Sequence, residues 1–350
     1  MTVLTTGGVA LPACQRWETD IVATIGGTPL VALDRLFPPE RFRVHAKCER
    51  FNPGGSIKDR AAKSMIEHAL RTGRLVPGMS TVVESSSGNL GIALAQLCNF
   101  YRLNLICVVD PRTTAQNMAI MRAYGARVEV VEQRDPATGE FLPVRLARVQ
   151  SHLASIPDAY WPNQYANEHN ARAHHATMRE ICEALPGGPD YLFLAAGTCG
   201  TLRGCAEYIR DHELATRVVA VDAAGSVIFG PPEPWERSHR RTIPGHGAAV
   251  SPPLLQPGLA DRVMKVTDAD CVRGCRRLLA EESILAGGSS GAVVAALDRA
   301  VSWLEPNVTC VALLPDGGDR YLDTIYSDPW VESRFPGLSP HDHDQERSEP

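Results

Sequence analysis

Short apolar runs alternate with amphipathic runs along most of this chain. The apolar runs predict strands, and they comprise residues 80–83, 103–109, 127–131, 191–195, 218–222 and 308–314. Between them lie stretches with apolar residues at helical spacing, such as residues 172–185. Strands that alternate with helices are typical of parallel sheets covered by helices. The pattern therefore predicts an α/β fold.

Length and composition predict two domains. The 350 residues, of which 44% are hydrophobic, can bury a large core, and chains of this length commonly divide. We expect each domain to hold a twisted, mainly parallel sheet flanked by helices. The smaller domain is expected at 51–158 and the larger at 19–50 plus 159–330. Residues 1–18 are expected to be flexible, and the polar, proline-bearing tail 331–350 to be disordered.

Charge and cysteine usage exclude several function classes. A formal net charge of −5 gives no reason to expect a nucleic acid or an acidic membrane as partner. The ten cysteines are scattered through apolar segments, which predicts buried thiols in a reducing compartment. Cys271 and Cys275 share a helical face without a second pair, so no metal site is expected. Without a leader or membrane span, the protein is predicted to be cytoplasmic.

The segment FNPGGSIKDR, residues 51–60, places Lys58 between a Gly-rich turn and a helix predicted at about 59–72. A lysine at the first turn of a helix is, in isolation, more often a surface charge. The Gly-rich turn before it allows the backbone to approach a neighbouring group closely. Three further glycine-rich segments suit a phosphorylated cofactor. Lys58 is therefore interpreted as a Schiff-base lysine.

The first of these segments is ESSSGNLG, residues 84–91, between a predicted strand and a predicted helix. Such a helix start presents backbone N–H groups and a positive dipole end to an anion, and a carboxylate would fit there. An ordinary helix cap by Ser86 or Ser87 explains the segment equally well. Asn89 adds an amide that could reach a phenolic oxygen.

Two later segments repeat this arrangement. LAAGTCGTLRG, residues 194–204, follows a strand and offers hydroxyl and backbone donors to a phosphate monoester. It lacks the Lys-Ser/Thr end of a P-loop and the glycine spacing of a dinucleotide site. AGGSSGA, residues 286–292, places Ser289 and Ser290 at a helix start, as caps or as neutral partners for a ring nitrogen.

In these segments the chain resembles pyridoxal-phosphate enzymes of the cysteine synthase and cystathionine β-synthase group, fold type II. The likeness covers about 20–330, from IGGTPL to PDGGDRYLDT. It implies pyridoxal 5′-phosphate as cofactor, an internal aldimine at Lys58, an Asn89 contact to the 3′-oxygen and Ser289 at the pyridine nitrogen. The phosphate would be held by Gly197, Thr198, Cys199, Gly200 and Thr201.

The same resemblance implies a site for small amino-acid substrates. Ser86, Ser87 and Gly88 would hold the substrate carboxylate, Gln164 would help to close that pocket, and the loop would move inward over substrate. A homodimer is also implied. The cofactor acts as an electron sink, and a lysine displaced by substrate can take the α-proton. A neutral serine at the ring nitrogen favours β-elimination and replacement over transamination.

The substrates are less clear from the sequence. The chain departs from the usual cysteine synthase pattern at Leu90, where threonine is usual, and at Cys199, where glycine is usual. ESSSGNLG, VDAAGSVIFG and NQY resemble N-(2-amino-2-carboxyethyl)-L-glutamate synthases of siderophore and 2,3-diaminopropionate pathways. That resemblance implies that O-phospho-L-serine and L-glutamate combine through an α-aminoacrylate, with release of phosphate. The cations available for these anions are Arg112, Arg203 and Arg237, although an arginine in such a position is more often a solvated surface residue.

Two other functions remain open at this point. The nearer one is cysteine synthesis from O-acetylserine or O-phosphoserine with sulfide, which the same residues could perform. The more distant one is a non-catalytic binding or regulatory protein that keeps the fold as a scaffold. The intact Lys58 argues against it.

Residues 230–257, rich in Pro, Gly and His, are predicted to form a loop over the site.

Overall fold

A computed structural model describes residues 18–338 except 138, 237, 238 and 240. Its strands form a six-stranded sheet in the order β1-β2-β10-β7-β8-β9 and a four-stranded sheet in the order β5-β4-β3-β6. The strands are β1 Leu30–Ala32, β2 Arg43–Cys48, β3 Thr81–Glu84, β4 Asn104–Val109, β5 Arg127–Val130, β6 Ala159–Tyr160, β7 Tyr191–Ala195, β8 Arg217–Ala223, β9 Arg262–Val266 and β10 Thr309–Leu314. β1 pairs antiparallel with β2, whereas the other pairs are parallel.

Helices cover both sheets. They are α1 Lys58–Arg71, α2 Asn89–Phe100, α3 Ala115–Ala123, α4 Leu142–Ser155, α5 Glu168–Ala184, α6 Gly200–Asp211, α7 Asp268–Glu282, α8 Gly288–Ala300 and α9 Asp328–Arg334. The central strand β10 is almost wholly buried from Cys310 to Leu314, because a parallel strand with helices on both faces needs apolar residues throughout. The predicted α/β fold with two parallel-sheet domains is therefore confirmed.

The carboxyl ends of β3, β7 and β10 carry the segments singled out in the sequence. β3 leads into residues 85–88 and α2, β7 leads into residues 196–199 and α6, and β10 leads into residues 315–321. In open parallel sheets, ligands bind beyond the carboxyl ends of the strands. The fold therefore directs these segments to the side where a site is expected.

The tail prediction needs a correction. Residues 331–338 are ordered, since α9 extends to Arg334, and Val331 and Leu338 are buried in the core of the six-stranded domain. The polar composition of the tail concealed two anchoring apolar residues spaced seven apart. Residues 339–350, together with most of the predicted flexible terminus at 1–18, lie outside the described residues.

Candidate active site

One cleft brings together every residue predicted to contact the cofactor. It is lined by Ile57, Lys58, Asn89, Ala195, Gly197, Thr198, Cys199, Gly200, Thr201, Leu202, Gly245, Ser289, Leu313 and Pro315. These residues come from β7 and β10, from the starts of α1, α2, α6 and α8 with the loops before them, and from the segment 230–257. That segment was predicted to form a loop over the site, and it contributes Gly245 to the cleft wall.

Lys58 is the first residue of α1 and is held there by its loop. The N–H of Ile57 donates to the Pro315 carbonyl (2.8 Å), and the N–H of Lys58 donates to Ser56 Oγ (3.2 Å). Burial lowers the pKa of the Lys58 amine, while electrostatic interactions with Asp316 and then Cys199 oppose that shift. A lysine with a lowered pKa can act as a nucleophile and a general base near neutral pH.

The segment Gly197 to Thr201 forms a cradle of neutral donors at the start of α6. Asn170 Nδ2 donates to Thr198 Oγ1 (3.2 Å), and Thr201 Oγ1 lies 3.2 Å from His174 Nε2. Burial, followed by the charges of Lys58 and Arg60, holds the pKa of His174 well below its usual value. Backbone N–H groups and the dipole of α6 therefore supply the attraction for an anion.

Glycine and one strained residue shape this cradle. A Cβ at Gly200 would collide with the side-chain amide of Asn170, so only glycine allows this close packing of α6 against Asn170. Cys199 adopts a left-handed φ of 62° at the start of α6, a conformation that costs a non-glycine residue about 1–2 kcal/mol. This strain gives a physical reason why glycine is the expected residue here.

Ser289 lies in the first turn of α8 and lines the cleft, 4% exposed. A Cβ at Gly245 would approach Ser289 Oγ to 3.3 Å, so the absence of a side chain keeps this hydroxyl accessible. Ser290 is fully buried and is not part of the cleft wall. The cleft wall thus contains Ser289, the serine that the family resemblance selects, and not Ser290.

The predicted substrate-carboxylate residues adjoin this cleft without lining it. Ser86 Oγ accepts the N–H of Gly91 (3.1 Å), which caps α2, and the Ser87 carbonyl accepts Asn117 Nδ2 (3.0 Å). Gly88 directly precedes α2. Gln164 is 7% exposed, and its backbone carbonyl accepts a hydrogen bond from Asn170 Nδ2 (2.7 Å). The same Asn170 side chain also contacts Thr198 in the segment 197–201. The substrate roles of these residues remain predictions.

Comparison with known proteins decides the family. Residues 21–316 match the family model described as pyridoxal-phosphate dependent enzyme. The chain belongs to the pyridoxal-phosphate dependent enzyme family. It is also similar to the crystal structure of O-ureido-L-serine synthase, with 31% identity and a TM-score of 0.78 over 91% of this chain and 100% of that one. A mutant of that synthase with bound O-ureido-L-serine gives 30% identity, the same TM-score and coverage of 91% and 99%.

The residues of the cleft fit a pyridoxal-phosphate dependent enzyme of the β-replacement type. One cleft contains the amine of Lys58, the donors of residues 197–201 and the neutral hydroxyl of Ser289, and these groups fit the aldehyde, the phosphate and the ring nitrogen of such a cofactor. In the described part of the chain, no helix is long and apolar enough to cross a membrane. Nor do the described residues contain a cluster of metal-binding side chains.

Glu84 is a buried carboxyl group that sequence reasoning missed. It ends β3, and its Oε1 accepts the N–H of Ser85 (2.8 Å) and Trp161 Nε1 (2.9 Å). It therefore joins residues 85–88, where the substrate carboxylate is predicted to bind, to the segment that carries Gln164. Burial raises the pKa of Glu84 to about 7, although hydrogen bonds from Trp161 and Ser85 oppose the rise.

Replacement of Glu84 by glutamine is expected to change the pH dependence of stability. Between pH 4.5 and about 7 the folded protein keeps a proton that the unfolded chain loses. The free energy of unfolding therefore falls as pH rises through that window, by on the order of 3 kcal/mol from this group. The variant Glu84→Gln has no proton to lose at this position, so this fall in the free energy of unfolding is absent. Urea unfolding at several pH values should show its stability improving relative to wild type from pH 5 to 8.

An exposed residue supplies the control for this change. Glu132→Gln makes the same substitution at the surface and should follow the wild-type pH profile. Parallel curves for wild type and Glu84→Gln would show that Glu84 does not retain its proton in the folded protein.

Arg145 is a second site-side residue that the sequence did not reveal. It is a residue of α4, 13% exposed, and lies 3.1 Å from Asp110 at the carboxyl end of β4. Its Nε atom has no hydrogen-bond partner among the described residues. Burial raises the pKa of Tyr165, beside Gln164, and the charges of Arg145 and Arg241 oppose this rise. Arg145 thus adds positive charge near the substrate loop.

The arginines named from the sequence are placed differently. Arg112 is exposed and pairs with Asp110 (3.2 Å), and Arg203 pairs with Glu207 along α6 (2.7 Å). Arg237 lies outside the described residues. Sequence spacing could not identify Arg145, because its proximity to Tyr165 arises only when α4 packs on the smaller sheet.

Proposed function

We propose that this enzyme joins O-phospho-L-serine to L-glutamate, giving N-(2-amino-2-carboxyethyl)-L-glutamate and phosphate. The observation that carries the proposal is Arg145, whose charge acts on Tyr165 next to Gln164. Its Nη1 pairs with Asp110, and its Nε atom has no hydrogen-bond partner among the described residues. A phosphorylated substrate and a dicarboxylate nucleophile both need positive charge at this place. The resemblance of ESSSGNLG, VDAAGSVIFG and NQY supports the same substrates.

Lys58 carries the proton transfers of the proposed reaction. When bound, pyridoxal phosphate supplies an electron sink for the substrate's α-carbon. Lys58 Nζ, with a pKa lowered by burial, takes the α-proton and later returns it. Ser289 offers a neutral hydroxyl to the ring nitrogen, and this favours β-replacement.

The substrate loop supplies orientation and protection from water. Ser86, Ser87 and Gly88 hold the substrate carboxylate at the start of α2, where the helix dipole favours an anion. Gln164 closes the other side of the pocket. Inward movement of this loop over bound substrate would exclude water during β-replacement.

Replacement of Arg145 by methionine should discriminate against the phosphorylated substrate. Loss of a charge-assisted hydrogen bond is worth about 1.5–3 kcal/mol, so we expect kcat/KM for O-phospho-L-serine to fall by about tenfold or more. O-Acetyl-L-serine, which lacks the phosphate charge, should be affected much less. Initial rates with both substrates measure this difference.

Arg148→Met provides the matched control. Arg148 lies on the same helix, is about half exposed and pairs with Glu129. We expect its substitution to leave kcat/KM for both substrates unchanged. An equal fall in kcat/KM for both substrates in Arg145→Met would indicate a structural role for Arg145 and would contradict its assignment to the phosphate group.

The nucleophile decides between the proposed function and its alternative. Purified, pyridoxal-loaded protein is mixed with O-phospho-L-serine, and phosphate release is followed with L-glutamate or with sulfide. Steady turnover with glutamate, together with a new amino-dicarboxylate product detected by mass spectrometry, supports the proposal. Turnover with sulfide alone, or only with O-acetylserine, would make the protein a cysteine synthase.

The setting of the reaction completes the proposal. We propose that the enzyme acts in siderophore or 2,3-diaminopropionate biosynthesis, as a homodimer in the cytoplasm. The family resemblance and the scattered cysteines support this setting. A non-catalytic scaffold is disfavoured by Lys58, which stands in the cleft with its expected neighbours.

A further inference from the structure

Asp316 is a buried residue at the junction of the three segments that surround the cofactor cleft. Its carbonyl accepts the N–H of Gly287 (3.2 Å), immediately before α8, and it forms an isolated β-bridge with Ser56 in the lysine loop. Its side chain is directed to a third segment, where Oδ2 accepts Asn89 Nδ2 (2.8 Å). One residue therefore contacts the neighbours of Lys58, the start of the Ser289 helix and Asn89 itself.

The carboxamide of Asn89 is held at both ends. Asp316 accepts from Nδ2, and Arg320 Nη1 donates to Oδ1. Arg320 also donates from Nη2 to the Gly54 carbonyl (2.5 Å) in the lysine loop. A guanidinium group can only donate and a carboxylate can only accept. These two partners therefore fix which end of the amide is nitrogen and which is oxygen.

This orientation leaves one N–H of the Asn89 side chain free to donate. One N–H of its Nδ2 is used by Asp316, its oxygen is used by Arg320, and the second N–H remains. Since Asn89 lines the cleft, a cofactor oxygen would meet a donor there. A donor stabilises the deprotonated form of a phenolic oxygen.

Several groups around Asp316 stabilise its ionised form. Tyr321 donates its hydroxyl to the same Oδ2 atom (2.7 Å). Burial raises the pKa of Asp316, and the bonds from Asn89 and Tyr321 with the charges of Arg320 and Lys58 oppose the rise. The donors around Asp316 thus favour its ionised form.

We propose that Asp316 is a positioning residue which, together with Arg320, turns the carboxamide of Asn89 so that it presents an N–H to the phenolic oxygen of pyridoxal phosphate. The inference rests on the proposed contact between Asn89 and that oxygen. It is independent of which amino acids the enzyme uses.

Asp316→Asn tests this inference through the bound cofactor. We expect the dissociation constant of pyridoxal phosphate to rise by about tenfold, as loss of a charge-assisted hydrogen bond predicts. The visible band of the bound cofactor should lose intensity to a band at shorter wavelength, because the phenolic oxygen is less readily deprotonated. Asp319→Asn removes the same charge from an exposed site three residues on and should leave both quantities unchanged.

A double-mutant cycle separates positioning from general damage. In an Asn89→Ala background, Asp316→Asn should produce little further change in the absorption spectrum, because its effect is transmitted through Asn89. An undiminished spectral change in that background would overturn the inference. If Asp316→Asn does not fold, Arg320→Met provides the same test from the other end of the amide. These readouts use neither O-phospho-L-serine nor glutamate, so an incorrect substrate assignment would not affect them.

Discussion

Lys58→Ala is expected to lower turnover by at least about 10³-fold, the largest effect of any single substitution in this enzyme. The variant loses both the amine that bonds to the cofactor aldehyde and the base that takes the α-proton, and a positioned base alone contributes about 10²–10⁴-fold. Steady-state phosphate release measures the rate. Borohydride reduction followed by peptide mass mapping should place the cofactor on the peptide that contains Lys58 in wild type.

Lys63→Ala serves as the control for this experiment. Lys63 lies on the same helix and donates to the Val22 carbonyl (2.9 Å), away from the residues that line the cleft. Its substitution should leave turnover and the reduced adduct unchanged. A Lys58→Ala variant that retained more than a tenth of wild-type turnover would rule out Lys58 as the principal base.

Local patterns in the sequence predicted much of the fold and of the cofactor site. The run 191–195 is β7 to the residue, and the helix expected at about 59–72 begins one residue earlier, at Lys58. Buried parallel strands are short and wholly apolar, so composition alone marks them. The segments that carry Asn89, Ser289 and residues 197–201 follow such strands or turns directly, so the sequence singled them out. Their individual cofactor roles come from the family resemblance and remain predictions.

Some elements escaped prediction because their signals depend on packing. β6 is only two residues long, and β9 lies at a sheet edge with exposed positions, so neither forms an apolar run. α7 begins with a capping box between Thr267 and Asp270, a pattern that the sequence contains but that was not used. Residues 331–334 of α9 are polar except for Val331, so the sequence pattern places them in the disordered tail predicted at 331–350.

The polar partners of the site could not be read from the sequence. Asp316 reaches Asn89 across 227 positions of the chain, and Trp161 reaches Glu84 across 77. Such contacts join segments that the fold brings together from distant parts of the chain, and spacing along the sequence carries no record of them. A network of long-range polar contacts is thus the part of this site that required the structure.

A buried ionic cluster beneath the lysine loop illustrates the same limit and has the largest expected effect on stability. Arg60 donates to Glu49 (2.6 and 2.9 Å) and to Glu180 (2.7 Å to each oxygen), and Lys47 also donates to Glu180 (2.6 Å). Arg60 is 5% exposed and Glu49 is fully buried. The cluster joins α1, which begins at Lys58, to α5 and to the end of β2.

Arg60→Met is therefore expected to destabilise the protein by about 3–5 kcal/mol, because it leaves buried carboxylates without their main partner. Burial alone would raise the pKa of Glu180, but hydrogen bonds and charge from Arg60, followed by Lys47, lower it to about 2. This stabilisation is present above pH 4.5 and is lost as pH falls towards 2. Urea unfolding should accordingly show a large deficit for the variant at pH 7 that narrows at pH 3. Arg71→Met, at the exposed end of α1, is the control. If Arg60→Met lowered the free energy of unfolding at pH 7 by less than about 1 kcal/mol, the range of a surface ion pair, the cluster would not depend on Arg60.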